Sequence, residues 1–307
     1  MSGSIPRSTA LLFVIAVGAA AFIPEVAGEY PVAVALSFAM WVALAQSWAV
    51  LSGMTGYSSF GHAAFYGLGA YVQVLTWGIF SPWVSVPLAG IASCAFALIV
   101  GYPALKVRGP YFVMLTFGLA EFVKYSVIGI EAQLGQFSRL IIGGPSPNDL
   151  FWIMLGLAAA ATAVMYLVSR SRFGYGLRAI RENEQAAETV GIPVSLYKLG
   201  AFGLSALIPG MVGAVMAMRM NYFEPAQAFD PLISFNIVVM ATIGGSDVAR
   251  GPLLGALFLV GLSELLWARA PQLYMIILGV LLVVFVLFFP QGLATRLFGN
   301  LQRRKKS

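Results

Sequence analysis

The chain has 307 residues, of which 60% are hydrophobic and only 10% charged, and it carries a formal net charge of +6. With a mean hydropathy of +0.87, this composition excludes an ordinary soluble globular protein. A single cysteine, Cys94, and a single histidine, His62, exclude an internal disulfide and a histidine-rich metal cluster.

The class that remains is an all-α, polytopic transmembrane helical bundle, because a membrane barrel gives short alternating segments instead. One bundle domain over residues 1–307 is expected. Ala10–Ile23 is the first apolar segment, read as a retained span and not a cleaved signal. It ends at Pro24 and an acidic turn with Glu25 and Glu29. Val32–Leu51 has about the length that crosses the hydrocarbon core. The small-residue stretch Ser52–His62 follows, and then Ala63–Phe80, Trp83–Leu105, Tyr111–Ile130, Phe151–Val168 and Leu199–Met218. Ile233–Ile243 is too short to span alone at about 1.5 Å per residue. It runs into Gly244-Gly245, so it reads as a broken or re-entrant element. Leu253–Trp267 and Leu273–Phe289 complete about ten hydrophobic segments, ahead of the basic tail Arg303, Arg304, Lys305 and Lys306.

Orientation follows from the excess of Lys and Arg in cytoplasmic loops. With both termini and the loop at 170–195 inside, alternating segments place fourteen basic residues inside and three (Arg139, Arg219, Arg269) outside, with Lys124 in a span. That bias accounts for the positive charge, so nucleic acid is not an expected partner.

The longest polar run, Arg170–Gly191, lies between two apolar segments and so outside the lipid. From Leu177 it reads as one short amphipathic helix: Leu177, Ile180 and Ala187 fall near helical spacing, and Gly191 followed by Pro193 is a stop. Glu184 and Glu188 share a face, as do Arg181 and Glu184. Such a helix either lies on the membrane surface or docks a soluble partner and transmits force.

Small residues let membrane helices approach closely, and Gly210/Gly213/Ala217 and Gly251/Gly255 form such stripes. Irregular backbone at membrane depth needs cover from protein or a water-filled cavity. Three stretches are of that kind: the one around Gly61 and His62, Arg108-Gly109-Pro110-Tyr111, and Gly244-Gly245 through Arg250-Gly251-Pro252. Paired interruptions point to a transport path. Within a span, Glu121 and Lys124 sit three apart and are expected to neutralise each other. His62 reads as a hydrogen-bonded structural histidine before a ligand. No phosphate-binding loop, no H-E-x-x-H and no paired-cysteine spacing is present, so neither a catalytic residue nor a metal or other cofactor is expected on this chain.

The run Ala186-Ala187, three residues and Gly191 resembles the E-A-A-x3-G coupling motif of ABC importer permeases, with Gln185 in the acidic position and Glu184 displaced by one. The longer phrase S-R-F-G-x-G-L-R-A-I-R-E-N-E-x-A-A-E-x-x-G-I resembles the LivM-type permeases of branched-chain amino acid importers. So do S-x-G-H-A-A-F-Y-G-L-G-A-Y, R-G-P-Y-F-x-x-L-T-F-G, G-G-S-x-x-x-x-G-P-L-L-G-A and the final F-F-P-Q-G-L, in family order from Ser59 to Leu293. The resemblance implies a permease of the bacterial inner membrane that moves an amino acid by alternating access. Its implied partners are a second, LivH-type permease, two ABC ATPase subunits, a soluble substrate-binding protein and membrane lipid. ATPase coupling would rest on Arg178, Arg181, Glu182, Glu184, Ala186, Ala187, Glu188 and Gly191. The path would pass Gly61, His62, Arg108, Gly109, Pro110, Tyr111, Glu121, Gly244 and Gly245. Alternatives are a same-family permease for urea or other small amides, and an ATP-independent secondary transporter.

Overall fold

The computed structural model describes residues 28–269 apart from 136, 137, 221, 247 and 248, together with a few isolated positions outside that range. Helix α1 (Glu29–Trp48) runs into a π-helical turn, Ala49–Gly53, and is followed by α2 (His62–Leu75), α3 (Pro82–Ala104) and α4 (Pro110–Gln133). After strand β1 (Arg139–Leu140) come α5 (Pro147–Arg170), α6 (Arg172–Glu182), α7 (Glu184–Thr189) and α8 (Val194–Arg219). Strand β2 (Tyr222–Phe223), α9 (Pro225–Ala228), α10 (Pro231–Gly244) and α11 (Arg250–Arg269) complete the described chain.

Local chemistry sets most of the starts. Proline stands in the first turn of α3, α4, α5 and α10, where its missing N–H costs nothing. Ser146 and Asp149 form a capping box on α5, and Asp230 caps α10 by accepting from the Leu232 amide. α3 also carries prolines in its interior (Pro87, Pro103), as does α8 (Pro209).

Among the described residues, six helical stretches are long and apolar enough to cross a membrane: Glu29–Gly53, Pro82–Ala104, Pro110–Gln133, Pro147–Arg170, Val194–Arg219 and Pro225–Gly244. Each expected segment from Val32 to Trp267 is helical. Ala10–Ile23 and most of Leu273–Phe289 fall outside the described residues. Two lengths differ from expectation. The segment expected to reach Phe80 ends as helix at Leu75, because a turn closes on Gly78 with φ +76. Its 14 residues rise about 21 Å, short of a hydrocarbon core of about 30 Å. The segment expected from Ile233 begins earlier, at Pro231, and the single turn α9 precedes it; the break between them lies at Phe229-Asp230.

The core sits along α8 and the second half of α1, the most enclosed of the six spans. α8 packs lengthwise on α3 and α2, and α1 packs on α5. Glycine decides how close α8 comes. A Cβ on Gly213 would lie 2.0 Å from the Tyr66 carbonyl oxygen, and one on Gly69 would lie 1.9 Å from that of Gly210. The Gly251/Gly255 stripe works in the same way against α10, where a Cβ on Gly255 would meet the Met240 carbonyl oxygen at 1.8 Å. Both stripes are thus packing surfaces, and backbone contact stands in for the hydrophobic drive that lipid removes. The two-residue ladder Arg139↔Phe223 ties the segment after α4 to the segment after α8. It marks the end of the bundle opposite Gly109, where α4 begins.

Candidate functional site

The polar run folds as two helices where the sequence suggests one. Ser171 caps α6 by accepting from the Gly174 amide at 3.1 Å, and Leu177 and Ile180 are buried inside it. The backbone then leaves helical geometry at Asn183 (φ −158, ψ 110), whose side chain accepts from the Ala186 amide at 3.0 Å and starts α7. Asparagine competes for backbone hydrogen bonds and favours caps over helix interiors. This break separates Arg181 from Glu184, so the expected shared face does not form. α7 ends as expected at Gly191, at φ +86. The Ile192 amide donates to the Ala187 carbonyl and the Gly191 amide to that of Glu188, both at 3.0 Å, which is a Schellman closure.

Both helices are anchored to the glycine-rich breaks of the bundle. Arg181 donates to the Gly53 carbonyl at 2.7 Å, at the end of the π-helical turn. Its stem passes 3.3 Å from where a Cβ on Gly56 would stand, and Gly56 has φ +76. Glu184 is a hub. One carboxylate oxygen accepts from Lys198 Nζ at 2.7 Å; the other accepts from Tyr57 Oη at 2.8 Å and faces Arg108 Nε at 3.3 Å. Lys198 Nζ also donates to the Leu105 carbonyl at 3.1 Å and the Tyr57 hydroxyl at 3.2 Å, which uses all three of its donors. The Lys198 side chain is 5% exposed and that of Arg108 is 59% exposed, so the lysine pair is the stronger link and the arginine a screened one. Burial raises the Glu184 pKa, but the hydrogen bonds from Lys198 and Tyr57 outweigh it and hold the carboxyl below its ordinary value. Burial, with the Glu184 bond second, pushes the Tyr57 phenol up to about 12.

The outer face of this element is polar and open: Glu182, Gln185, Ala186 and Glu188 are exposed, while Ala187 faces inward and is buried. Arg178 donates to the Ser169 carbonyl at 3.1 Å and stiffens the α5–α6 corner.

The residues expected along a path lie in different surroundings. Gly61 and His62 are enclosed at the start of α2, where the Phe60 amide donates to Thr116 Oγ1 at 3.1 Å and the Ala63 amide to Ser234 Oγ at 2.8 Å. His62 is fully buried against Phe65, with no hydrogen bond to either ring nitrogen, which corrects the reading of a hydrogen-bonded histidine. Arg108, Gly109, Pro110 and Tyr111 lie at the surface, beside the hub. Gly244 is buried and Gly245 half-buried against Gly251, and a Cβ on Gly53 would meet the Ser246 carbonyl oxygen at 2.3 Å. Glu121 and Lys124 form no ion pair: one Glu121 oxygen is buried without a partner, and Lys124 lies 5.8 Å from the Tyr125 ring centroid.

Sequence spacing leaves several site residues unmarked. Lys198 counts there only as an inside charge, and Tyr57 only as part of a small-residue stretch. A second cluster, at the other end of the bundle, is also unmarked. There Glu131 accepts from Tyr71 Oη and from Arg139 Nη2, the latter at 2.8 Å.

The described chain is thus a helical bundle with six stretches long and apolar enough to cross a membrane and a polar two-helix loop anchored on its helix breaks. The chain belongs to the family described as branched-chain amino acid transport system / permease component, which matches residues 30–286. It is 26% identical to the high-affinity branched-chain amino acid transport system permease protein LivM of Salmonella typhimurium, over 95% of this chain and 76% of that one. LivM of Escherichia coli gives the same identity and coverage. The nucleoside ABC transporter permease protein NupC of Lactococcus lactis is 26% identical over 50% of this chain and 56% of its own length. No solved structure matches the chain. The protein is therefore a LivM-type, multi-pass inner-membrane permease subunit of an ABC importer.

Proposed function

We propose that this permease carries branched-chain or related hydrophobic amino acids, and that α6 and α7 form its docking element for an ATPase subunit on the cytoplasmic face. It works with a second permease, two ATPase subunits and a soluble binding protein. ATP chemistry resides on the partners, and this chain needs no cofactor of its own. Both termini share the cytoplasmic side with α7. The substrate reading is supported by the relatives that align over 95% of the chain, which are named for branched-chain amino acids.

The observation that carries the reading is the way α7 is held. On its inner face Glu184 reaches Tyr57, Arg108 and Lys198 at the start of α8. Lys198 in turn holds the Leu105 carbonyl and Arg181 of α6 the Gly53 carbonyl, while the outer face of α7 is left polar and open. Movement of the outer face therefore reaches three bundle elements at once.

The test is uptake of labelled leucine into proteoliposomes that hold the whole complex. ATP-dependent uptake that valine and isoleucine compete away is the expected result. Gradient-driven uptake by this chain without an ATPase would replace the importer reading with a secondary transporter. Uptake blocked by nucleosides and not by valine would replace the substrate.

A further inference from the structure

α7 is only six residues long. It is bounded by the extended residue Asn183 on one side and by Gly191 at φ +86 and Pro193 on the other. It is a short rigid segment between two swivels. Two of its side chains reach inward: Ala187, which packs against the apolar cluster around Leu177 and Val194, and Glu184. Packing of a methyl group resists compression but transmits little pull. Glu184 can transmit both, because its two oxygens are bonded to groups on three separate segments.

Where the pull goes is fixed by Lys198. This residue lies one turn inside α8, the most enclosed of the six spans, and is itself buried. Its ammonium spends its remaining donors on the Leu105 carbonyl, at the C-terminal cap of α3, and on the Tyr57 hydroxyl. Lys106, Val107 and Arg108 then lead to Gly109, which caps α4 at φ +62. If Glu184 shifts outward, Lys198 either follows, carrying α8 and the α3–α4 corner, or stays behind as a buried cation without its counter-charge. The second outcome is strongly unfavourable. The pair therefore resists separation, and the backbone that gives way is the glycine at the start of α4.

We propose that Glu184 is a positioning residue for coupling: through Lys198 it latches α7 to α8 and to the Leu105–Pro110 corner, so that movement of the docking helix is passed into the transmembrane bundle. The proposal rests on the reading of α6 and α7 as the ATPase-docking element. It assigns the force path to an intramolecular ion pair, in addition to any surface that α7 offers to a partner.

The experiment uses the complete importer in proteoliposomes and records leucine transported per ATP hydrolysed. Glu184→Gln removes the charge at constant volume, and Lys198→Met removes the ammonium while keeping the stem. Each is expected to lower the ratio at least tenfold while the ATPase subunits still co-purify. The double variant is expected to be no worse than the poorer single one, since both remove the same link. A ratio equal to wild type in either assembled single variant would overturn the latch, as would an additive loss in the double. Should Glu184→Gln not assemble, Tyr57→Phe decides. It removes the hydroxyl's two hydrogen bonds, to Glu184 and from Lys198, and almost no volume; a ratio lowered about threefold or more supports the latch, whereas an unchanged ratio overturns it. ATP-independent uptake by wild type would overturn the importer reading itself and the latch with it; an unchanged ratio in the variants overturns the latch alone.

Discussion

Ala187→Asp tests whether α7 is seated as described. Ala187 is 3% exposed and packs in the cluster that contains Leu177, Ile180 and Val194. A carboxylate there enters an apolar contact. The buried cation of the neighbourhood, Lys198, already has three acceptors. An unpaired buried charge costs about 3 kcal/mol or more. At about 1.4 kcal/mol per tenfold, the seated form of α7 loses at least about a hundredfold in population. The bundle should still insert and express, because this segment lies outside the spans. Two readouts check it: trypsin should cleave faster at Arg178 and Arg181, and ATP-dependent leucine uptake should fall to background. Ala187→Ser, which adds one small hydroxyl, should retain most of the uptake. Normal uptake and unchanged cleavage in the aspartate variant would refute the inward seating of α7.

Other outcomes follow from single positions. Gly213→Ala puts a Cβ 2.0 Å from the Tyr66 carbonyl oxygen; overpacking of this kind costs about 1–3 kcal/mol, so thermal unfolding in detergent should move down, whereas Gly156→Ala, with open space beside it, should not lower it. Gly109→Ala has room for its methyl, but the backbone at φ +62, ψ −140 is a region that only glycine enters freely; a cost of about 1–3 kcal/mol should appear as reduced uptake at normal expression. The pH response of the seated loop has two edges. The depressed Glu184 carboxyl contributes fully above the ordinary carboxylate pKa of about 4.3 and loses that contribution as pH falls below it. The raised Tyr57 phenol contributes fully below its ordinary pKa of about 10 and loses that contribution as pH rises toward about 12. Tryptic protection of Arg181 should thus be flat between about pH 5 and about pH 9, and a midpoint near neutrality would contradict the hub.

The segments were legible because apolar runs interrupted by Gly, Pro and charge leave few alternatives. The breaks at Gly56, Gly109, Gly191 and Gly245 all have positive φ, the conformation for which glycine is the ordinary choice. The division of the polar run at Asn183 was also signalled, since asparagine is among the strongest N-cap residues, but a continuous apolar spacing across it suggests a single helix. What spacing does not carry is pairing between segments. Glu184 meets a lysine 14 residues on and a tyrosine 127 residues back. Neither distance has a period that helix geometry would reveal. The Glu121–Lys124 pair shows the converse: local spacing permits it, yet the two side chains do not meet.

The distribution of polar contacts constrains what kind of motion the bundle can make. At its start, α2 is stitched to α4 through Thr116 and to α10 through Ser234. At its other end, Tyr71 joins Glu131 of α4, which Arg139 holds in turn. Between those ends, Gly69 and Gly213 set α2 against α8 at backbone contact, a distance that leaves no slack for sliding past side chains. A helix pinned at both ends and keyed along its length moves with its neighbours. Glycines at positive φ flank these helices at both ends: Gly56 before α2, Gly109 before α4 and Gly245 after α10, with Gly78 after α2 and Gly135 after α4. Two of these, Gly56 and Gly109, lie at the end where Arg181 and Glu184 attach. Gly245 joins the same end through the contact of Gly53 with Ser246. The loop contacts of Arg181 and Glu184 thus fall on glycine breaks at the helix ends and not within the keyed block, a geometry suited to rocking helices as a body about those breaks and not to bending them.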